Sequence, residues 1–386
     1  MLPSARWRVS PAVLALAVGV AIGRPGFAIV QPQLMEDGAQ IQAVCEIALL
    51  VSLFCVGLRL RAPFEWRFWH VPVRLSTVGL ATTWALAAAA AKVLFDLTLL
   101  EALLIACILA PTDAVLACEA PGVTEAEQDG SAAATLAAEG AFSSGFAVPA
   151  AVFVLGLMGL EDKSSASAGW LALEGLWAVV GAVAVGAGIG MGMSRWIALL
   201  DFDRQADLLE TLVVFAAAAL AYAGAEAIHT SGFLAVVSAG LAIGHGGRWR
   251  SRRTRRALAP RVLKIAWRAE RVAALSVVVL LGAMTPEMDF RLRVLVFAAI
   301  LLALVRPLAV RLGLRLPPAQ RKPLEWSGVR GAAALYCLVL AIDHGLSAPF
   351  AHQLGGIVLL VIAGSIIAHG VTVSPMRRAS PGALSS

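Results

Sequence analysis

Asp113 is the only charged residue between Ala102 and Cys118, and it directly follows Pro111 and Thr112. A carboxylate inside an apolar segment is costly unless it is paired or wet, so its presence points to ion chemistry. Pro111 has no N–H and clashes with a continuing helix, which frees backbone carbonyls around Thr112 and Asp113. Freed carbonyls, a hydroxyl and a carboxylate together make a cation site. A second group lies in Ala138-Glu-Gly-Ala-Phe-Ser-Ser-Gly145. There Glu139 and Ser143 share a helix face at i, i+4, and Gly140 and Gly145 permit close helix approach. A third is Gly328-Val-Arg-Gly331, which sets Arg330 between two glycines in an apolar stretch.

The elements that must carry these groups are set by composition. The 386 residues are 59% hydrophobic and 15% charged, and the mean hydropathy is +0.82. Such a chain cannot hide its apolar segments in one water-soluble core. Stretches long enough to cross about 30 Å of hydrocarbon recur at 9–23, 41–58, 71–91, 98–118, 132–158, 170–193, 207–227, 230–245, 262–283, 293–312, 324–343 and 352–373. The expectation is an all-α polytopic membrane protein of about twelve spans. One integrated domain, residues 1–376, is followed by a short tail, 377–386, with no separate soluble domain. Of the 31 basic residues, Arg24, Lys92, Lys163, Arg291 and Arg293 fall on one side and Arg268, Arg271, Arg306 and Arg330 within or at the ends of spans. All the others share the opposite side, so the positive-inside rule puts both termini in the cytoplasm of an inner or plasma membrane.

Other motifs are better explained by this setting. The basic run from Arg248 to Arg256 sits between two spans on the basic side, and reads as a topology anchor that can touch anionic lipid heads rather than as a nucleic-acid patch. The first apolar stretch follows Arg6 and Arg8 but ends in no small-residue cleavage site, so it reads as a span. Cys45, Cys55, Cys107, Cys118 and Cys337 have no CxxC spacing and read as packing residues. The six histidines lack metal-ligand spacing, so neither a metal enzyme nor a cofactor is expected. Glu226 and His229 read as an interfacial pair, and Glu46, Glu174, Glu210, Glu270 and Glu325 are assigned no role.

On this topology Asp113, Glu139 and Arg330 each lie about six to nine residues from the inner end of a span, on the order of 10 Å deep at about 1.5 Å per residue. The fourth and eleventh spans run in opposite directions, and both are broken near the middle by Pro111 or by Gly328 and Gly331. That pattern predicts an inverted repeat with two discontinuous helices crossing at the substrate site. A buried Arg–carboxylate pair that merely holds helices together is the simpler alternative, but such a pair needs no unwound backbone.

From about residue 40 to Met376 the chain resembles the cation:proton antiporter-1 family of bacterial sodium/proton exchangers. The resemblance is carried by Leu-Ala-Pro-Thr-Asp-Ala-Val at 109–115, Gly232-Phe-Leu-Ala235 with Ala239-Gly-Leu241, and Val305-Arg-Pro-Leu308. Trp326-Ser-Gly-Val-Arg-Gly331 and His369-Gly-Val-Thr-Val-Ser-Pro375 complete it. It implies a core-and-gate antiporter fold, exchange of a monovalent cation for protons, and a homodimer. It also implies that Thr112 and Asp113 lie at the ion site, that Arg330 pairs with Glu139, and that Arg306 matches a further arginine of the family pattern.

The departures from that pattern bear on mechanism. The family usually shows Glu-x-x-x-Asn-Asp-Gly in the fifth span, where the aspartate is the main carrier; here the matching pair is Ser143-Ser144. An acidic position often seen in the second span is occupied by Cys55. A hydroxyl can ligate a cation but cannot carry a proton at neutral pH. The proton-or-cation competition would therefore move to Asp113, assisted by Glu139, with Thr112, Ser143 and Ser144 as neutral ligands. The alternative is an uncoupled or transport-inactive protein on the same fold, either channel-like or a sensor or scaffold. Sodium, lithium and potassium are not distinguished by the residues.

Overall fold

Apolar runs rich in Ala, Leu and Val, bounded by Gly, Pro, Ser and Asp, satisfy their backbone polar groups internally by forming helices. The computed structural model describes residues 10–24, 26–60, 66–113, 116, 132–160, 168–199, 207–246, 260–314 and 318–379. Arg6, Arg8, Cys118, the Arg248–Arg256 run and the end of the tail lie outside them. The helices in chain order are α1 (Pro11–Ile22), α2 (Gly38–Arg59), α3 (Trp66–Arg74), α4 (Leu80–Phe95), α5 (Leu99–Leu109), α6 (Ala132–Leu157), α7 (Ala168–Leu199) and α8 (Asp207–Glu226). They continue with α9 (Gly232–Gly244), α10 (Pro260–Ala283), α11 (Leu292–Ile300), α12 (Arg306–Gly313), α13 (Pro318–Trp326), α14 (Ala332–Asp343) and α15 (Ala348–Ala379). No strand occurs among the described residues. Five-residue π turns, Leu75–Gly79 and Leu301–Val305, join α3 to α4 and α11 to α12.

Seven helical stretches are long and apolar enough to cross a membrane, and four further apolar helices, α1, α5, α9 and α14, are shorter. Two of these shorter helices adjoin the segments singled out by sequence. Helix α5 starts at a capping box, in which Thr98 Oγ1 accepts the Glu101 N–H and the Glu101 carboxylate accepts the Thr98 N–H at 2.9 Å. It stops at Leu109, two residues before Pro111, as the proline requires. Between α13 and α14 the backbone from Ser327 to Gly331 is not helical.

One apolar core joins α2, α5, α6, α14 and α15, and a second joins α2 with α7, α8 and α9. Helix α9 is drawn close to its neighbours by glycine. A Cβ on Gly240 would lie 2.6 Å from the carbonyl oxygen of Phe54 in α2, and one on Gly186 of α7 would lie 2.0 Å from the carbonyl oxygen of Ala235. Such backbone approach is how helices gain dispersion contact where lipid supplies no hydrophobic drive. Gly186→Val is therefore expected to lower the melting temperature in detergent by several degrees and to reduce the yield of monodisperse protein. Wild-type melting would show that this spacing is not set by glycine.

Candidate functional site

The two non-helical segments meet. The Asp113 N–H donates to the carbonyl of Val329 at 2.8 Å, so a backbone group released after α5 is satisfied by one released before α14. Buried backbone polar groups have few other partners in such a setting. Pro111 and Thr112 are buried and Asp113 is partly buried.

Around this junction lie the hydroxyls singled out from the sequence. Ser143 Oγ accepts the Thr112 N–H at 3.3 Å and lies 3.5 Å from Thr112 Oγ1, while it donates to its own helix at Gly140 O, 3.2 Å away. Ser144 Oγ donates to the Thr112 carbonyl at 3.2 Å. The Ser143-Ser144 pair thus holds the unwound Thr112 from both sides.

The Asp113 carboxylate rests on Gly331, the residue that opens α14. A Cβ there would lie 2.0 Å from Oδ2 and 2.7 Å from Cγ. Position 331 is glycine because the carboxylate occupies the space a side chain would fill. The start of a helix also favours a negative group. The other oxygen, Oδ1, accepts the Leu116 N–H at 3.1 Å. Beyond the carboxylate a crevice runs between α10, α14 and α15, walled by apolar residues including Ala274, Val278, Leu335 and Ile362.

The tether is not the pair expected. Glu139 is bound by Arg306, whose two terminal nitrogens reach its two oxygens at 2.5 and 2.8 Å, and not by Arg330. Arg306 Nε also donates to Leu324 O at 3.1 Å, so one guanidinium joins α6, α12 and the end of α13. A planar fork matched to a carboxylate is the strong form of such a pair. Arg330 is fully buried, yet its NH1 folds back onto Gly328 O at 2.7 Å, and its N–H donates to Ser365 Oγ of α15 at 3.0 Å. Its side chain leaves a non-helical segment and turns toward its own backbone, whereas Arg306 leaves the first turn of α12 and points at α6. Gly328 lies between the two arginines, with a Cβ position 3.2 Å from Arg306 Cγ and 3.4 Å from Arg330 NH1.

Two arginines, Glu139 and Asp113 therefore crowd one region. With Asp113 ionised their formal charges cancel.

Sequence reasoning gave no role to two carboxylates that the structure places at helix contacts. Glu270 of α10 is 1% exposed and binds Arg59 at the end of α2. Beside it, Cys55 Sγ donates to Ala266 O at 3.3 Å. Glu46 of α2 accepts the Tyr222 hydroxyl of α8, and nearby Tyr336 of α14 hydrogen-bonds Gln42. Glu226 accepts the Gly232 N–H at 3.2 Å. The described cysteines, Cys45, Cys55, Cys107 and Cys337, are buried and free of disulfides.

Two outcomes follow. Gly331→Ala drives a methyl into the Asp113 carboxylate, and is expected to weaken monovalent-cation binding, read as a cation-dependent thermal shift, by about tenfold or more. A wild-type shift would remove Asp113 from the site. Glu139→Gln strands the buried Arg306 guanidinium and is expected to cost about 3–5 kcal/mol of stability, partly recovered by adding Arg306→Gln. Recovery by Arg330→Gln instead would reverse the pairing.

The chain is 27% identical over 385 residues to the K(+)/H(+) antiporter NhaP2 of Shewanella sp. (strain MR-4), covering 97% of this chain and 63% of that protein. It is 27% identical over 351 residues to the K(+)/H(+) antiporter NhaP of Alkalimonas amylolytica, covering 86% and 56%. The chain thus spans less than two thirds of the length of these relatives. Among solved structures, the sodium proton antiporter MjNhaP1 from Methanocaldococcus jannaschii at pH 8 superposes with a TM-score of 0.73 at 20% identity, covering 94% of this chain and 91% of that one, and so shares the fold. The model of the transmembrane sodium/hydrogen exchanger family matches residues 1–379, and the chain belongs to that family of multi-pass membrane proteins.

Proposed function

We propose that this protein exchanges a monovalent cation for protons by competition at Asp113. The observation that carries this reading is the placement of one carboxylate at the meeting of two non-helical segments, Asp113 N–H on Val329 O, with the oxygens of Thr112, Ser143 and Ser144 beside it. Backbone and hydroxyl oxygens strip a hard cation of water, and the carboxylate supplies charge that a proton neutralises equally well. Protonated on one side and cation-loaded on the other, Asp113 gives one-for-one exchange. Glu139 and Arg306 hold the framework, and Arg330 keeps the neighbourhood positive enough that Asp113 is not left holding a proton permanently. The relatives carry potassium and sodium in their names, so both ions are candidates.

The same reading takes twelve spans: the seven long apolar helices, the four shorter ones and α10. The segments at Pro111 and at Gly328–Gly331 are taken as the breaks of two crossing discontinuous helices. Residues 1–376 form one transport domain with a cytoplasmic tail, both termini are cytoplasmic, the bilayer is the cell's inner or plasma membrane, and the protein works as a homodimer.

A second reading, an uncoupled or transport-inactive protein, is favoured by one observation: Ser144, at the usual carrier position, spends its hydroxyl on Thr112 O. Liposomes with an internal pH dye separate the two. Sodium, lithium or potassium added against a proton gradient is expected to drive proton movement with wild type and none with Asp113→Asn of normal melting temperature. Equal flux in both proteins would remove Asp113 as carrier, and no flux with any ion would favour the second reading.

A further inference from the structure

Helix α10 walls the crevice beside Asp113 with Ala274, Val277, Val278 and Leu281. Glu270 precedes Ala274 by one turn, so 270, 274, 277, 278 and 281 fall on a single helical stripe. Glu270 is thus the charged end of the same face. Its carboxylate is 1% exposed. One oxygen is held by Arg59, and the other, Oε1, is buried with no hydrogen-bond partner among the described residues. A buried carboxylate oxygen left unpaired carries a desolvation cost that a purely structural ion pair would be expected to avoid by a second hydrogen bond.

The charged and titratable groups acting on Glu270 are Arg59, from α2, and Asp113, and its charge in turn reaches the Cys55 thiol. Arg59 is about one-fifth exposed whereas Glu270 is not, so packing leaves the guanidinium room to withdraw. Withdrawal would leave a buried carboxylate one helical turn below the crevice wall with both oxygens available.

We propose that Glu270 is a second ion-binding carboxylate of the transport path, held by Arg59 in one state and holding a proton or the transported cation in another. It supplies from α10 the acid group that Ser144 does not supply from α6. The proton it takes comes from water on the Arg59 side and returns there when a cation or Arg59 replaces it. This role rests on the exchange reading above.

The test measures cation-driven proton flux in liposomes as a function of pH and cation concentration, for wild type, Glu270→Gln, Glu270→Asp and the double variant Arg59→Gln with Glu270→Gln. Removing the Glu270 charge while Arg59 stays positive weakens proton holding at Asp113. Glu270→Gln is therefore expected to move the pH of half-maximal exchange to the acid side by about one pH unit and to raise the cation concentration needed severalfold. Glu270→Asp should keep the wild-type pH profile. The double variant removes both charges and so leaves no guanidinium without its carboxylate. It is expected to retain the cation-affinity deficit. A double variant with wild-type pH profile and cation affinity would reduce the pair to a structural tether and overturn the proposal, even where Asp113→Asn still abolishes flux. Absence of flux from wild type would overturn the exchange reading and this role with it.

Discussion

The hydrogen bond from Asp113 N–H to Val329 O is the contact on which the rest of the site depends. Non-helical backbone in an apolar setting leaves donors and acceptors that nothing nearby can satisfy. Here two breaks satisfy each other, which fixes Asp113 beside Gly331 and brings Thr112 within reach of Ser143 and Ser144. Moving either break removes the partner of the other. The capping box at Thr98 and Pro111 together set where α5 starts and stops, and so where Asp113 emerges.

Charge placement follows from the same junction. Arg330 is flanked by Val329 and Gly331, the two residues that touch Asp113, so a buried cation is built into the site by chain connectivity alone. Glu139 gives both of its oxygens to Arg306 and acts on Arg330 only through space. Asp113 is the other carboxylate of this neighbourhood, and on the exchange reading proposed above its occupancy by a proton or a cation alters the local charge.

Much of this was legible in the sequence because it is local. A proline next to a carboxylate, two serines one helix turn beyond a glutamate, and an arginine between glycines announce an unwound, polar site without any long-range information. The helical class and the multi-pass character follow from composition in the same way. What the sequence does not hold is direction. The family resemblance pairs Arg330 with Glu139, whereas Arg306 takes it, and the choice turns on where each side chain leaves the backbone. Glu270 looked like an ordinary charge in the inner part of a span, and Arg59, 211 residues away, like one more topology anchor. Their pairing exists only once α2 and α10 are packed together.

The central claim is that proton and cation compete for one carboxylate, and binding tests it without transport. Purified protein in weakly buffered detergent solution, mixed with sodium or potassium near the pH where exchange is half-maximal, should release protons in step with cation bound, approaching about one per cation. Saturable cation binding with no proton release would contradict the account, because the ion would then be held by hydroxyl and carbonyl oxygens alone.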